Sequence, residues 1–167
     1  TLTVRSKAQT RYAFESPRYS PDGQWIALTG TNYSEQHNEQ ARAWLLQRKG
    51  GKLKEWTGQW DHGVNGPLLW AADSQAVYFT AESGVAQPIW RLGPQDTAPT
   101  EVLRGPGEGG TTADLRISGD GSTLVYARSA QTHPPTLLAC KTDGTGARSI
   151  ESFNKRLMGS LQMGEAR

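Results

Sequence analysis

The side chains able to do chemistry in this 167-residue chain are few and scattered. His37, His62 and His133 could each serve as a base, and with a serine and an aspartate could formally complete a hydrolytic triad. All three fall in loops of different units, and no Gly-x-Ser-x-Gly pentad marks a nucleophile elbow. No catalytic residue is therefore expected in this chain. A metal site finds no His-x-x-x-His and no cysteine pair, and Cys140 lies in an expected strand as a small hydrophobe. Gly105-Pro106-Gly107-Glu108-Gly109-Gly110 spells Gly-x-Gly-x-x-Gly, but a dinucleotide loop must open a helix, and Thr111–Ile117 reads as a strand. Neither metal nor cofactor is expected. Arg48, Lys49, Lys52 and Lys54 surround a hairpin turn without interleaved aromatics, which is a solvated turn rather than a phosphate patch. Asn32-Tyr33-Ser34 is a glycosylation sequon, with meaning only in a eukaryotic secretory protein. Trp60-Asp61 stands apart: a large apolar ring in a loop beside a carboxylate suggests an anchored or ligand-facing position.

The elements that must carry these residues are organised by Ser16 to Leu28. Pro21 presets the backbone of the turn Ser20-Pro21-Asp22-Gly23, Asp22 can cap it, and Gly23 accepts the left-handed conformation that follows. The apolar run Trp25–Leu28 then reads as a buried strand. The plan recurs at Leu68–Phe79 around Asp73, and at Leu115–Tyr126 around Asp120 and Gly121. The three turn aspartates are 51 and 47 residues apart. Periods of roughly 40–50 residues with strands and turns inside are the signature of β-propeller blades. The expected fold is all-β, a β-propeller fragment of about three four-stranded blades.

The reading divides the chain into 1–15, the end of a preceding blade and a connection; blades at 16–58, 59–104 and 105–152; and a linker at 153–167. Leu2-Thr3 would end an earlier strand, and residues 4–15 are polar connection. Strands A to D are expected at Ser16–Tyr19, Trp25–Thr29, Ala43–Gln47 and Leu53–Thr57. They follow at Leu68–Trp70, Ala76–Ala81, Pro88–Leu92 and Thr100–Leu103, and again at Asp114–Ile117, Thr123–Arg128, Thr136–Lys141 and Ala147–Ile150. Glu35–Leu46 also suits a helix by propensity, but the other units place a strand there. Trp25, Trp44, Trp70, Trp90 and Tyr126 are read as packing between blades. Closed propellers need about four to eight blades. Three units therefore call for completion by another chain, a second copy or a segment outside this sequence. The formal charge of +2 is small and without single-sign blocks, so no nucleic-acid or membrane partner is expected. One cysteine says nothing firm about redox compartment.

Strand alternation sorts the loops. The B-to-C and D-to-A connections, 30–42, 58–66, 82–87, 104–113 and 129–135, emerge on one side together with the tail after Ile150. That side gathers Tyr33, Glu35, His37, Glu39, Trp60, Asp61, His62, Glu82, Glu108 and His133. Binding groups commonly ride on such loops, and the candidate substrate-facing set is Trp60, Asp61, His62, Glu82 and Tyr33.

Ser16-Pro17-Arg18-Tyr19-Ser20-Pro21-Asp22-Gly23, then Trp56-Thr57 and Trp60-Asp61, resembles the propeller of the prolyl oligopeptidase family. The similarity is to the dipeptidyl-peptidase V and acylaminoacyl-peptidase branch. Val77-Tyr78-Phe79-Thr80, Val125–Ser129 with Pro135, and the exit residues Asn154, Leu157 and Leu161–Glu165 resemble the same group. The turn motif is weak alone, since TolB-type propellers share it. Ala71-Ala72 and Gly119 depart from its Ser-Pro. The resemblance implies that a serine hydrolase domain of α/β type would follow Arg167, with the propeller admitting only short peptides to it. The partners implied are that domain, the remaining blades and short peptide substrates. The alternatives are a TolB-like protein-interaction module and a fragment that self-associates into a six-bladed ring. The compartment stands between bacterial periplasm and cytoplasm, with the periplasm preferred.

Overall fold

The computed structural model describes residues 12–33, 39–105, 109–151 and 153–161. Twelve strands form three antiparallel four-stranded sheets, each in simple sequential order. The first holds β1 (Tyr12–Tyr19), β2 (Trp25–Asn32), β3 (Arg42–Gln47) and β4 (Leu53–Glu55). The second holds β5 (Val64–Trp70), β6 (Val77–Ala81), β7 (Ile89–Leu92) and β8 (Thr100–Leu103). The third holds β9 (Thr111–Ile117), β10 (Thr123–Ala130), β11 (His133–Lys141) and β12 (Arg148–Ser149). Each sheet is a meander, and the sheets stack as propeller blades with β1, β5 and β9 toward the axis.

Several elements differ from the sequence reading. Each axial strand begins three to four residues earlier than expected, so residues 12–15 are strand rather than connection. Within these stretches Glu15, Asn65 and Ala113 are exposed. The segment expected as the loop 129–135 shrinks to a tight turn at 131–132, and His133 sits in β11. The ladder continues to Ala130 opposite His133 across an irregularity after Arg128. Arg42–Gln47 is the expected strand, one residue longer, and not the helix its propensity also allowed. Part of the tail is the short helix α1 (Lys155–Gly159). The expected strand end at Leu2-Thr3, together with Glu35, His37 and Glu108, lies outside the described residues.

The repeated turn explains the repeated sequence. Asp22 Oδ1 accepts from Ser20 Oγ at 2.5 Å and from the Gln24 amide at 3.0 Å. Asp120 does the same with Ser118 Oγ at 2.5 Å and the Ser122 amide at 3.0 Å. Asp73 accepts from the Gln75 amide at 2.9 Å. The residue after each aspartate is left-handed, with φ of 65° at Gly23, 62° at Ser74 and 72° at Gly121. Ser74 puts its side chain to use: its Oγ accepts the Asp22 amide at 3.0 Å, joining the turns of adjacent blades. On the other side a Cβ at Gly121 would lie 2.5 Å from the Ala72 Cβ, so the third turn packs tightly on the second.

The axial strands share a second device. Pairing slips between Glu15 and Arg18 in β1, between Asn65 and Leu69 in β5, and between Ala113 and Arg116 in β9. Counted from the turn, Ser16, Pro67 and Asp114 occupy the same repeat position. Ser16 and Asp114 both have φ of 51°, while Pro67 follows a cis peptide bond. A bulge of this kind re-aims a side chain, and Pro67 and Asp114 both line the cleft between β5 and β9.

Two buried layers separate the blades. Between the first and second lie Ala27, Ala43 and Leu45 against Leu68, Trp70, Phe79, Trp90 and Leu92. Between the second and third lie Tyr78 and Ile89 against Leu115, Leu124, Tyr126 and Cys140. Burial pushes the Cys140 thiol above its ordinary range, which keeps it a neutral hydrophobe. Trp44 belongs to neither layer. It sits on the far face of the first blade with Ile26, Leu28 and Leu46, edge-on to Tyr12 and Phe14. The tertiary stacking direction, not the residue type, places it there.

Candidate functional site

Among the described residues the connections on the loop side are tied together by hydrogen bonds. The Arg42 guanidinium donates to the carbonyls of Trp60 and His62, the latter at 3.3 Å, and so ties the first D-to-A connection to β3. The Gln87 backbone N–H donates to the Gly110 carbonyl at 2.9 Å, and Ala86 bridges Gly110, joining the second blade to the third. Arg104 donates to the Ser83 carbonyl and hydroxyl, both at 3.2 Å. Among the described residues no trio of His, Cys, Asp or Glu is gathered as a metal would need.

Within this lattice Trp60 is half-buried. Its ring meets Trp90 edge-on at 4.9 Å and Phe79 at 5.9 Å, so it is an outer member of the first interblade layer. His62 stacks on Trp90 at 5.8 Å and touches Trp60 at 4.8 Å. Asp61, between them in sequence, is exposed. Trp60, Asp61 and His62 therefore form one cluster. Glu82 stands on a different loop, at the rim of a cleft with Gly84, Gln87 and Gly110. Tyr33 is half exposed on a third loop. His133 lies elsewhere, its Nδ1 3.0 Å from the Pro134 carbonyl and its ring beside Glu151 and Met158. The two described histidines share no site.

Sequence reasoning missed Arg128. It is 4% exposed, and it donates to Thr112 Oγ1 at 3.2 Å and to the Gly109 carbonyl at 3.0 Å. A Cβ on Gly105 would fall 2.3 Å from the guanidinium carbon, and one on Gly110 would fall 3.0 Å from a guanidinium nitrogen. The glycines at these two positions, both at positive φ, leave room for a buried cation. Two glycines of the dinucleotide-like spelling, Gly105 and Gly110, have this physical cause. Its only advance signal is a charged residue at a position where the other blades carry Gly30 and Ala81.

Also missed was the cleft of 250 Å³ between β5 and β9, with polar groups from Asn65, Thr80, Gln87, Asp114 and Arg116. Asp114 and Arg116 align with Ser16 and Arg18 of the first blade, a polar pattern inside an axial strand that could have marked the axial surface.

No family model and no curated protein matches this chain. Solved structures do. The Pyrococcus horikoshii acylaminoacyl peptidase is similar over 87% of this chain and 21% of its own, with TM-score 0.66 and 18% identity. TolB from Acinetobacter baumannii is similar over 81% and 31%, with TM-score 0.61 and 16% identity. Oligogalacturonate lyase from Vibrio parahaemolyticus is similar over 80% and 35%, with TM-score 0.59 and 16% identity. The chain thus spans about a third or less of these neighbours' length. The likeness is one of fold, the β-propeller, and three differently named proteins share it.

Proposed function

We propose that these blades are a non-catalytic propeller segment of a serine exopeptidase, of dipeptidyl or acylaminoacyl type, that filters the peptides reaching an α/β-hydrolase domain. The observation that carries this reading is the cross-linked loop side. Arg42, Arg104 and Arg128 each tie a connection on that side to a neighbouring strand or loop, and the cleft between β5 and β9 holds only 250 Å³. A braced rim around small openings excludes folded chains by sterics and admits an extended peptide. In this reading the Trp60-Asp61-His62 cluster, anchored through Trp90, offers a carboxylate and an imidazole to the passing peptide. The fold likeness to peptidase propellers agrees with this assignment, and the likeness to TolB supports the alternative, a protein-interaction module.

The blades alone should show no turnover of dipeptidyl or N-acylaminoacyl p-nitroanilides. The full natural gene product should hydrolyse them, spare folded proteins, and be labelled by a serine-directed phosphonate. Absence of labelling in the full product, or phosphonate-sensitive turnover by the blades alone, would overturn the proposal.

A further inference from the structure

The cleft between β5 and β9 has charges of opposite sign on a single strand. In β9 the pairing runs Ala113 with Ala127 and Arg116 with Val125, so Asp114 and Leu115 share the space opposite one residue. Leu115 turns into the interblade layer and is 7% exposed. Asp114, at φ of 51°, is exposed and turned to the cleft wall. Arg116 lines the same cleft, with its Nη1 donating to the Leu115 carbonyl at 2.8 Å, which fixes the guanidinium against the strand. The ion pairs among the described residues join other groups, Arg91 with Asp96 and Arg104 with Glu101. Asn65 and Gln87 add amides, each able to donate and to accept, and Gln87 is oriented by donating to Thr80 Oγ1 at 2.9 Å. Pro67 supplies apolar lining.

We propose that this cleft binds a short zwitterionic peptide or free amino acid, with its α-ammonium on Asp114 and its α-carboxylate on Arg116. A carboxylate accepts from an ammonium, a guanidinium donates its fork to a carboxylate, and the amides of Asn65 and Gln87 match one intervening peptide group. The volume of 250 Å³ lies below the range for drug-sized ligands and suits one or two residues. For its ligand class the inference rests on the peptidase reading, since short free peptides are what an exopeptidase releases.

The test is calorimetric titration of the chain with Ala-Ala, N-acetyl-Ala-Ala and Ala-Ala-amide, against wild type, Asp114→Asn and Arg116→Gln. Asparagine tolerates the left-handed region, so Asp114→Asn keeps the bulge, and near-UV circular dichroism checks both variants. Wild type should bind Ala-Ala and lose about tenfold with either cap. Asp114→Asn should become indifferent to acetylation and Arg116→Gln to amidation. No binding of Ala-Ala, equal binding of all three peptides, or variants that respond to the caps as wild type does would each overturn the inference. Its failure is separable from that of the function. Phosphonate labelling without dipeptide binding removes the cleft alone, and binding without labelling removes the peptidase alone.

Discussion

The two interblade layers solve one packing problem with different materials. Where the first blade meets the second, Trp56, Trp70, Phe79 and Trp90 fill the gap, and the small residues Ala27 and Ala43 oppose them. Their polar handles are used: Trp56, Trp70 and Trp90 donate their indole N–H groups to the carbonyls of Gly93, Arg18 and Ala81 at 3.1, 3.0 and 3.2 Å. Where the second blade meets the third, aliphatic residues and two tyrosines form a thinner layer, and its loop-side end is a buried arginine under glycine loops. The difference turns on one repeat position, occupied by Gly30, Ala81 and Arg128 in successive blades. A small residue there lets rings close the layer, whereas a buried cation demands acceptors, which here are the Thr112 hydroxyl and the Gly109 carbonyl. The first layer is the richer in rings, and the cleft between β5 and β9 opens beside the second.

Three perturbations break or sharpen this contrast. The largest is Trp90→Ala. Removing a ring that is 8% exposed and packed on Trp60 and His62 should cost about 3–5 kcal/mol in urea unfolding. A loss no larger than that of an exposed-site variant would end the contrast between the layers. Next is Gly105→Ala, which sets a Cβ against the Arg128 guanidinium at a φ of 90° and should cost about 2 kcal/mol. Gly84→Ala, also at positive φ but with open space around it, should cost only the backbone part. In an Arg128→Met background the extra cost of Gly105→Ala should vanish, and a double-mutant cycle reads this coupling directly.

The smallest effect concerns the turns on the opposite side. Ser118 and Ser122 hold the Asp120 carboxyl down at about 2, and Ser20 and Gln24 lower that of Asp22. A carboxyl depressed in the folded state contributes stability that is complete above its unfolded value of 3.8 and is lost as pH falls through the folded one. Thermal melting should therefore decline between pH 4 and 2, and Asp120→Asn should flatten that slope without altering Trp90→Ala's penalty. A melting temperature independent of pH across this window would show that the turn carboxylates carry no folding linkage.

The repeated turns, the strand count and the three-blade plan were legible in the sequence, because Asp22, Asp73 and Asp120 act through bonds to residues two positions away. Local chemistry needs no tertiary information. The tryptophans Trp70 and Trp90 were legible as interblade fillers, and Trp44, paired with Leu28 as Trp90 is with Phe79, holds the corresponding position on the face of the first blade turned away from the second. Asp114 and Arg116 looked like an ordinary axial edge until the bulge in β9 turned them into a cleft with Asn65 and Gln87 from another blade. Arg128 and its glycines likewise gained meaning only when chain separated by some twenty residues folded back on the guanidinium. Interactions that span two or three residues are written in the order of the residues, whereas those that join blades depend on bulge, stacking and burial, and these exist only once the sheets are assembled.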